Sequence, residues 1–119
     1  MSTEQTNRDD VDKRHLSLGR ISVDFDTYQV SVDNVAVELT YHEFELLRLF
    51  LTNLDRIVSY QTLADQLWGV SDHAAIRHLN VIVHRLRVKL GDTSPYHVKT
   101  VRGRGYGLLE TSERGKDVA

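Results

Sequence analysis

The sequence contains no cysteine among its 119 residues. That absence excludes a disulfide framework, a thiolate nucleophile and Cys-ligated zinc. No apolar run approaches the roughly 20 residues that a membrane-spanning helix needs. The first ten residues, MSTEQTNRDD, also lack the apolar core of a secretory signal. Apolar and charged fractions of 40% and 27% are ordinary for a globular domain. We therefore expect a cytoplasmic protein without membrane contact, whose folding requires neither a disulfide nor a bound metal.

An excess of positive charge is also missing, because the formal net charge is −2. The charges are nevertheless unevenly distributed along the chain. Residues 16–74 carry three basic and nine acidic residues, a balance of −6. Residues 75–107 carry seven basic residues and one acidic residue, a balance of +6. This asymmetry is typical of a protein that binds a polyanion with one part of its surface. An unevenly charged but merely solvated surface would give the same count.

Both ends of the chain lack the patterns of folded structure. Residues 1–15 are polar and show no apolar period, which predicts a disordered arm or the remnant of a linker. Residues 111–119 are predicted to form a loose tail. Residues 16–110 are the predicted domain, and they contain no repeat and no low-complexity tract. Within them, LSLGRISVDF and TYQVSVDNVAVELT alternate apolar and polar residues, which predicts two or three short antiparallel strands.

Two helices are predicted next. Thr40 and Glu43 have the spacing of a capping box, and a helical apolar stripe follows. The members of that stripe are Phe44, Leu47, Leu51 and Leu54. Ser59 is placed to cap a second helix that ends at Gly69.

A third helix is predicted from Ser71 or Asp72 to Leu90, with Gly91 ending it. One side forms a core stripe: Leu79, Val83, Leu86 and Leu90. An α-helix fits the major groove of B-DNA, where long polar side chains read base edges. On the other side, base contacts are predicted for Asn80, Val81, His84 and Arg85, and phosphate contacts for Arg77 and Arg87. His84 could equally be only solvated.

The chain then forms a predicted hairpin, with strand-like HVKTV and YGLLE on either side of RGRG. Glycines allow a tight turn and let the backbone pass close to another surface. Arg102 and Arg104 at the tip could enter a minor groove, and Thr100 could bind a phosphate. Alternatively, the arginines of a plain surface turn would contact only water.

Four segments together resemble the winged-helix effector domain of OmpR/PhoB-type response regulators. They are LTYHEFELLRLFL, LADQLWG, HLNVIVHRLRVKLG and VKTVRGRGYGL, and the resemblance covers about residues 18–109. It implies an α+β winged helix-turn-helix fold with an N-terminal four-stranded antiparallel sheet, three helices and a C-terminal β-hairpin wing. The third helix would lie in the major groove of double-stranded DNA, and the wing would enter the minor groove.

The resemblance also implies roles for particular residues. Contacts from the third helix would come from Arg77, Arg85 and Arg87, and contacts from the wing from Thr100 and Arg102. His78 and Lys99 complete the candidate DNA-binding set alongside the residues named above. A loop containing Val70, Ser71, Asp72 and His73 would meet RNA polymerase. A second copy on tandem half-sites is the further partner, with no cofactor, metal or small-molecule substrate.

The sequence departs from the family pattern at three places on the third helix. Asn80 and Ile82 replace an acid and a histidine that are common there, and His78 replaces a common DNA-facing threonine. The DNA sequence preference is therefore not inherited from a familiar relative. The receiver domain that usually precedes this module is absent from the sequence, which predicts either an excised effector domain or a free-standing regulator.

Two other classes of function were compared with DNA binding. An enzyme is not expected, because the six histidines form no HExxH pair and GRGYG does not open a helix as a nucleotide loop does. A winged helix that binds protein instead of DNA would keep the core stripe and the caps. It would not need Arg77, Arg85, Arg102 and Arg104 on one side.

Overall fold

A computed structural model describes residues 14–111, which form two compact units that divide between Glu38 and Leu39. Most of the predicted arm and tail lies outside the described residues. The first strand begins at His15, one residue before the predicted start of the domain. At the other end, the amide of Thr111 still donates to the Pro95 carbonyl at 2.7 Å.

The first unit is a four-stranded antiparallel sheet in which each strand pairs with the next along the chain. Its strands are β1 (His15–Leu18), β2 (Ile21–Asp24), β3 (Gln29–Val32) and β4 (Val35–Val37). The register aligns Leu16, Val23, Val30 and Val37 in one row across the sheet. Because alternate residues share a face, these apolar side chains lie together. The alternation predicted two or three strands, and the sheet has the four that the resemblance implied.

Helices of the second unit begin at the predicted caps. They are α1 (Tyr41–Thr52), α2 (Tyr60–Trp68) and α3 (His73–Leu90). Thr40 and Glu43 form the reciprocal capping box, and the Ser59 hydroxyl accepts from the Thr62 amide at 3.0 Å. The prediction that Leu54 continues the α1 stripe is wrong. The helix ends at Thr52, and the Asn53 side-chain amide donates to the Leu49 carbonyl at 2.8 Å.

The apolar side of α3 is the one predicted. Leu79, Val83, Leu86 and Leu90 are all buried, and so is Ile82. The Asp72 carboxylate begins the helix by accepting from the Ala75 amide at 2.9 Å. The helix therefore buries one side completely and leaves the opposite side available to solvent.

The C-terminal hairpin belongs to a three-stranded sheet. Its strands are β5 (Val58–Ser59), β6 (Tyr96–Val101) and β7 (Gly105–Glu110), in the order β5-β7-β6. A side chain on Gly105 would come within 1.9 Å of the Val58 carbonyl oxygen, and one on Gly107 within 2.1 Å of the Arg56 carbonyl oxygen. The close approach expected of these glycines is therefore made to the protein's own chain.

Candidate nucleic-acid interface

The exposed side of α3 carries a continuous row of side chains. Arg77, Val81, His84 and Val88 follow one another at i, i+4, i+7 and i+11, and all four are exposed. Helical geometry places residues at this spacing on one face. Two ionisable and two apolar side chains are thus presented together, with Arg85 exposed beside them.

One edge of this exposed side is bonded to the hairpin formed by β6 and β7, which we call the wing. The Arg87 guanidinium donates to the Val98 carbonyl at 3.0 Å and to the Thr100 hydroxyl at 2.6 Å. Asn80 accepts a hydrogen bond from the Tyr106 hydroxyl at 2.5 Å. The structure therefore brings the third helix and the wing together, as predicted, but Asn80, Arg87 and Thr100 all have partners within the protein.

The other edge of the exposed side contacts the end of α2. The His78 imidazole stacks on the Trp68 indole, with ring centroids 4.6 Å apart and planes inclined by 16°. The ring of His42 lies 5.3 Å from the same indole. Trp68, the last residue of α2, is half-buried, whereas His78 is exposed.

The tip of the wing is a three-residue turn between β6 and β7. The Arg104 amide closes it by donating to the Val101 carbonyl at 2.9 Å, and Gly103 has a positive φ of 77°. Arg102 and Arg104 are exposed at this turn, and Lys99 is exposed on β6. The predicted wing cations are therefore available to an external partner.

Lys89 takes no part in the exposed cationic set. Its ammonium group binds the buried Glu43 carboxylate, with Nζ 2.7 Å from Oε1. Burial would raise the pKa of Glu43, but hydrogen bonds from Lys89 and the Thr40 amide, with the Lys89 charge, lower it overall. This pair joins α1 to the last turn of α3. The sequence identified Glu43 as the acid of the capping box, but nothing in the sequence indicated its lysine partner.

The predicted polymerase loop is exposed from Val70 to His73. Asp72 serves as the cap of α3, and His73 is the first residue of that helix. Within residues 14–111, no group of three or more histidine or acidic side chains is arranged to hold a metal ion. None of the helices described there is long and apolar enough to cross a membrane.

Sequence reasoning missed two residues that hold the wing against the helices. The Tyr60 hydroxyl donates to the Val101 carbonyl at 3.3 Å, and the Tyr60 amide donates to the Arg104 carbonyl at 3.2 Å. Tyr106, in the second strand of the wing, is buried at 6% exposure. Its bond to Asn80 spans 26 residues of sequence, which no local pattern reveals.

Three helices followed by a β-hairpin wing, with an antiparallel sheet before them, define a winged-helix domain. The domain structure of RstA from Klebsiella pneumoniae, in complex with the RstA box, covers 81% of this chain and 97% of that one. It is 32% identical with a TM-score of 0.72. The DNA-binding domain of CpxR from Escherichia coli is 31% identical with a TM-score of 0.70, covering 82% of this chain and 98% of that one.

A family model described as "Transcriptional regulatory protein, C terminal" matches residues 34–108. The response regulator PmrA of Pseudomonas aeruginosa is 40% identical over 93 residues, which are 78% of this chain and 41% of PmrA. PhoB, the phosphate regulon regulator of the same species, is 33% identical over 91 residues, or 76% of this chain and 40% of PhoB. The chain spans less than half the length of these curated relatives. It belongs to the family of OmpR/PhoB-type C-terminal domains of transcriptional regulatory proteins.

Proposed function

We propose that this chain binds double-stranded DNA with sequence selectivity, with α3 in the major groove and the wing tip in the adjacent minor groove. One observation carries the proposal: the wing is bonded to α3, and both leave cationic side chains exposed. Apart from Lys89, which is paired with Glu43, the exposed cations of α3 and the wing are Arg77, Arg85, Lys99, Arg102 and Arg104. The RstA domain, with 32% identity, was solved on its DNA site, which supports the same docking here.

Within this proposal the contacts divide by chemistry. Arg85 and Val81 lie where base edges would be, and arginine grips guanine through two hydrogen bonds. His84 and Arg77 flank them on the exposed row, and His78 presents its outer side at the margin. Lys99, Arg102 and Arg104 supply the wing contacts. Thr100 and Arg87 lie beside these contacts, where their hydrogen bond joins the wing to α3.

Further partners follow from the assignment to a transcriptional regulator. We propose that the exposed loop from Val70 to His73 meets RNA polymerase, and that a second copy occupies a tandem half-site. The protein would act in the cytoplasm as a regulator and not as an enzyme. The competing proposal, a protein-binding winged helix, does not account for Arg102 and Arg104 being exposed together at the wing tip.

Selection of bound fragments from a pool of random duplexes tests the proposal, with Arg85→Ala as the discriminating variant. The wild type is expected to enrich a defined site, and any repeat in that site gives the spacing of a second copy. Arg85→Ala is expected to lose about 1–3 kcal/mol on that site and to relax the choice of one base pair. Affinities are measured by titration at fixed salt.

Arg56→Ala is the matched control, because Arg56 is an exposed arginine outside both α3 and the wing. It should leave the selected site and its affinity unchanged. An equal loss by Arg85→Ala on every duplex would reduce Arg85 to a phosphate contact. A wild-type protein that enriches no consensus would contradict sequence-selective binding itself.

A further inference from the structure

Tyr106 lies at the centre of a set of contacts that joins three elements. It is 6% exposed, and its hydroxyl donates to the Asn80 side chain on α3 at 2.5 Å. Its ring meets the edge of the Tyr60 ring on α2, with centroids 5.4 Å apart and planes at 81°. The guanidinium carbon of Arg87 lies 5.7 Å from the centre of the Tyr106 ring. One strand of the wing is therefore held by both α2 and α3.

The other strand is held from the same two helices. Arg87 donates from two nitrogens to β6, at the Val98 carbonyl and the Thr100 hydroxyl. Tyr60 donates to the Val101 carbonyl at 3.3 Å, directly before the turn. A guanidinium that bonds through two nitrogens fixes direction as well as distance. Both strands are thus held close to the turn, while Arg102 at the tip stays exposed.

We propose that four residues form a wing clamp, which holds the wing tip at a fixed distance and direction from α3. The clamp residues are Tyr60, Asn80, Arg87 and Tyr106. This inference rests on the proposed function. The clamp residues are positioning residues: they act on DNA through the wing arginines and not through their own contacts. A two-stranded hairpin is only marginally ordered by itself. A wing that is already held in its binding position loses less conformational freedom when DNA binds, and so binds more tightly.

Tyr106→Phe is the sharpest test, because it removes one buried hydroxyl and no surface that DNA could touch. We expect about three- to tenfold weaker binding to the selected site, the equivalent of one hydrogen bond. Hydroxyl-radical footprinting should show weakened protection of the minor groove beneath the wing. Asn80→Ala should give the same losses, and the double variant should be no worse than either. Asn80→Asp keeps an acceptor for the tyrosine and should retain the minor-groove protection that Asn80→Ala loses.

Tyr96→Phe is the control, because it removes a tyrosine hydroxyl from the same wing outside the clamp. Full affinity and full minor-groove protection in Tyr106→Phe would overturn the clamp, and so would additive losses in the double variant. Thermal unfolding identifies a variant that fails to fold. In that case Arg87→Lys is the test, because lysine keeps the positive charge but cannot donate from two guanidinium nitrogens. This variant must lose the same minor-groove protection, or the clamp is wrong. Absence of selective binding by the wild type would instead contradict the proposed function on which the clamp rests.

Discussion

At the scale of single residues, Glu43 combines two tasks in one buried carboxylate. Its Oε1 atom accepts from the Thr40 amide at 2.9 Å and from the Lys89 ammonium at 2.7 Å. Its Oε2 atom is buried without a hydrogen-bond partner among residues 14–111. A charge held in this way depends on its partner, because a buried ion left alone costs several kcal/mol.

Glu43→Gln is expected to destabilise the protein at pH 7, because Lys89 loses its countercharge. The expected loss is about 1–3 kcal/mol, less than for a fully buried pair because the Lys89 side chain is 36% exposed. The pKa of Glu43 is lowered by folding, so its charged form contributes stability above the unfolded pKa of about 4.3. That contribution disappears as the pH falls through the still lower folded pKa. Urea unfolding at several pH values measures it.

The difference between wild type and Glu43→Gln should therefore be constant near neutral pH and shrink below about pH 5. Asp65→Asn, at an exposed acid on α2, is the control and should change stability little. A difference that stays constant down to pH 3 would show that the ionised carboxylate contributes nothing and that only its shape matters.

The sequence predicted which side chains are buried better than it predicted their hydrogen-bond partners. The spacing of Leu79, Val83 and Leu86 determined which side of α3 is buried, since every third or fourth residue of a helix shares a face. The same spacing could not show that Arg87 and Asn80 turn toward the wing. Their partners lie 11 to 26 residues away, and side-chain direction at such a joint depends on tertiary packing.

At the scale of elements, the helices and the wing were predictable because their ends are marked chemically. Thr40, Ser59 and Asp72 each accept a backbone amide in the first turn of a helix. The strand Val58–Ser59 was missed because two residues carry no period. Its existence explains Gly105 and Gly107, whose lack of side chains is needed for β7 to lie against residues 56–58. The sequence suggested that these glycines approach a surface but could not identify it.

Arg102→Ala tests the wing as an element. If the exposed Arg102 enters a minor groove, its loss should matter most where that groove is narrow and its potential most negative. We expect a loss of about 1–2 kcal/mol on a site with AT-rich flanks, and a clearly smaller one on the same site with GC-rich flanks. Titration of both duplexes measures the difference. Equal losses on the two flanks would place Arg102 on a phosphate instead.

At the scale of the whole molecule, net charge and function point in opposite directions. A protein of net charge −2 has no overall attraction for DNA. Residues 75–107 nevertheless carry a balance of +6, and they include α3 from its first turn onward and the wing as far as the start of β7. Binding would therefore depend on a few local phosphate contacts, which the salt dependence of affinity counts.

Six cations are exposed on α3 and the wing, and all except Lys89, which is paired with Glu43, are available to DNA: Arg77, Arg85, Lys99, Arg102 and Arg104. If Arg85 reads a base and Arg102 lies in the minor groove, the other three neutralise phosphates, and log affinity should fall with log salt at a slope of about −2.7, steepening to about −4.5 if all five do. Lys89 and Arg87 should add little, because Lys89 is paired with Glu43 and Arg87 is bonded to the wing. Titration of a random duplex from low to moderate salt measures the slope. A slope near zero would contradict DNA binding and favour a protein partner, whereas one near about −6.3 would mean that Lys89 and Arg87 leave their partners to bind phosphates.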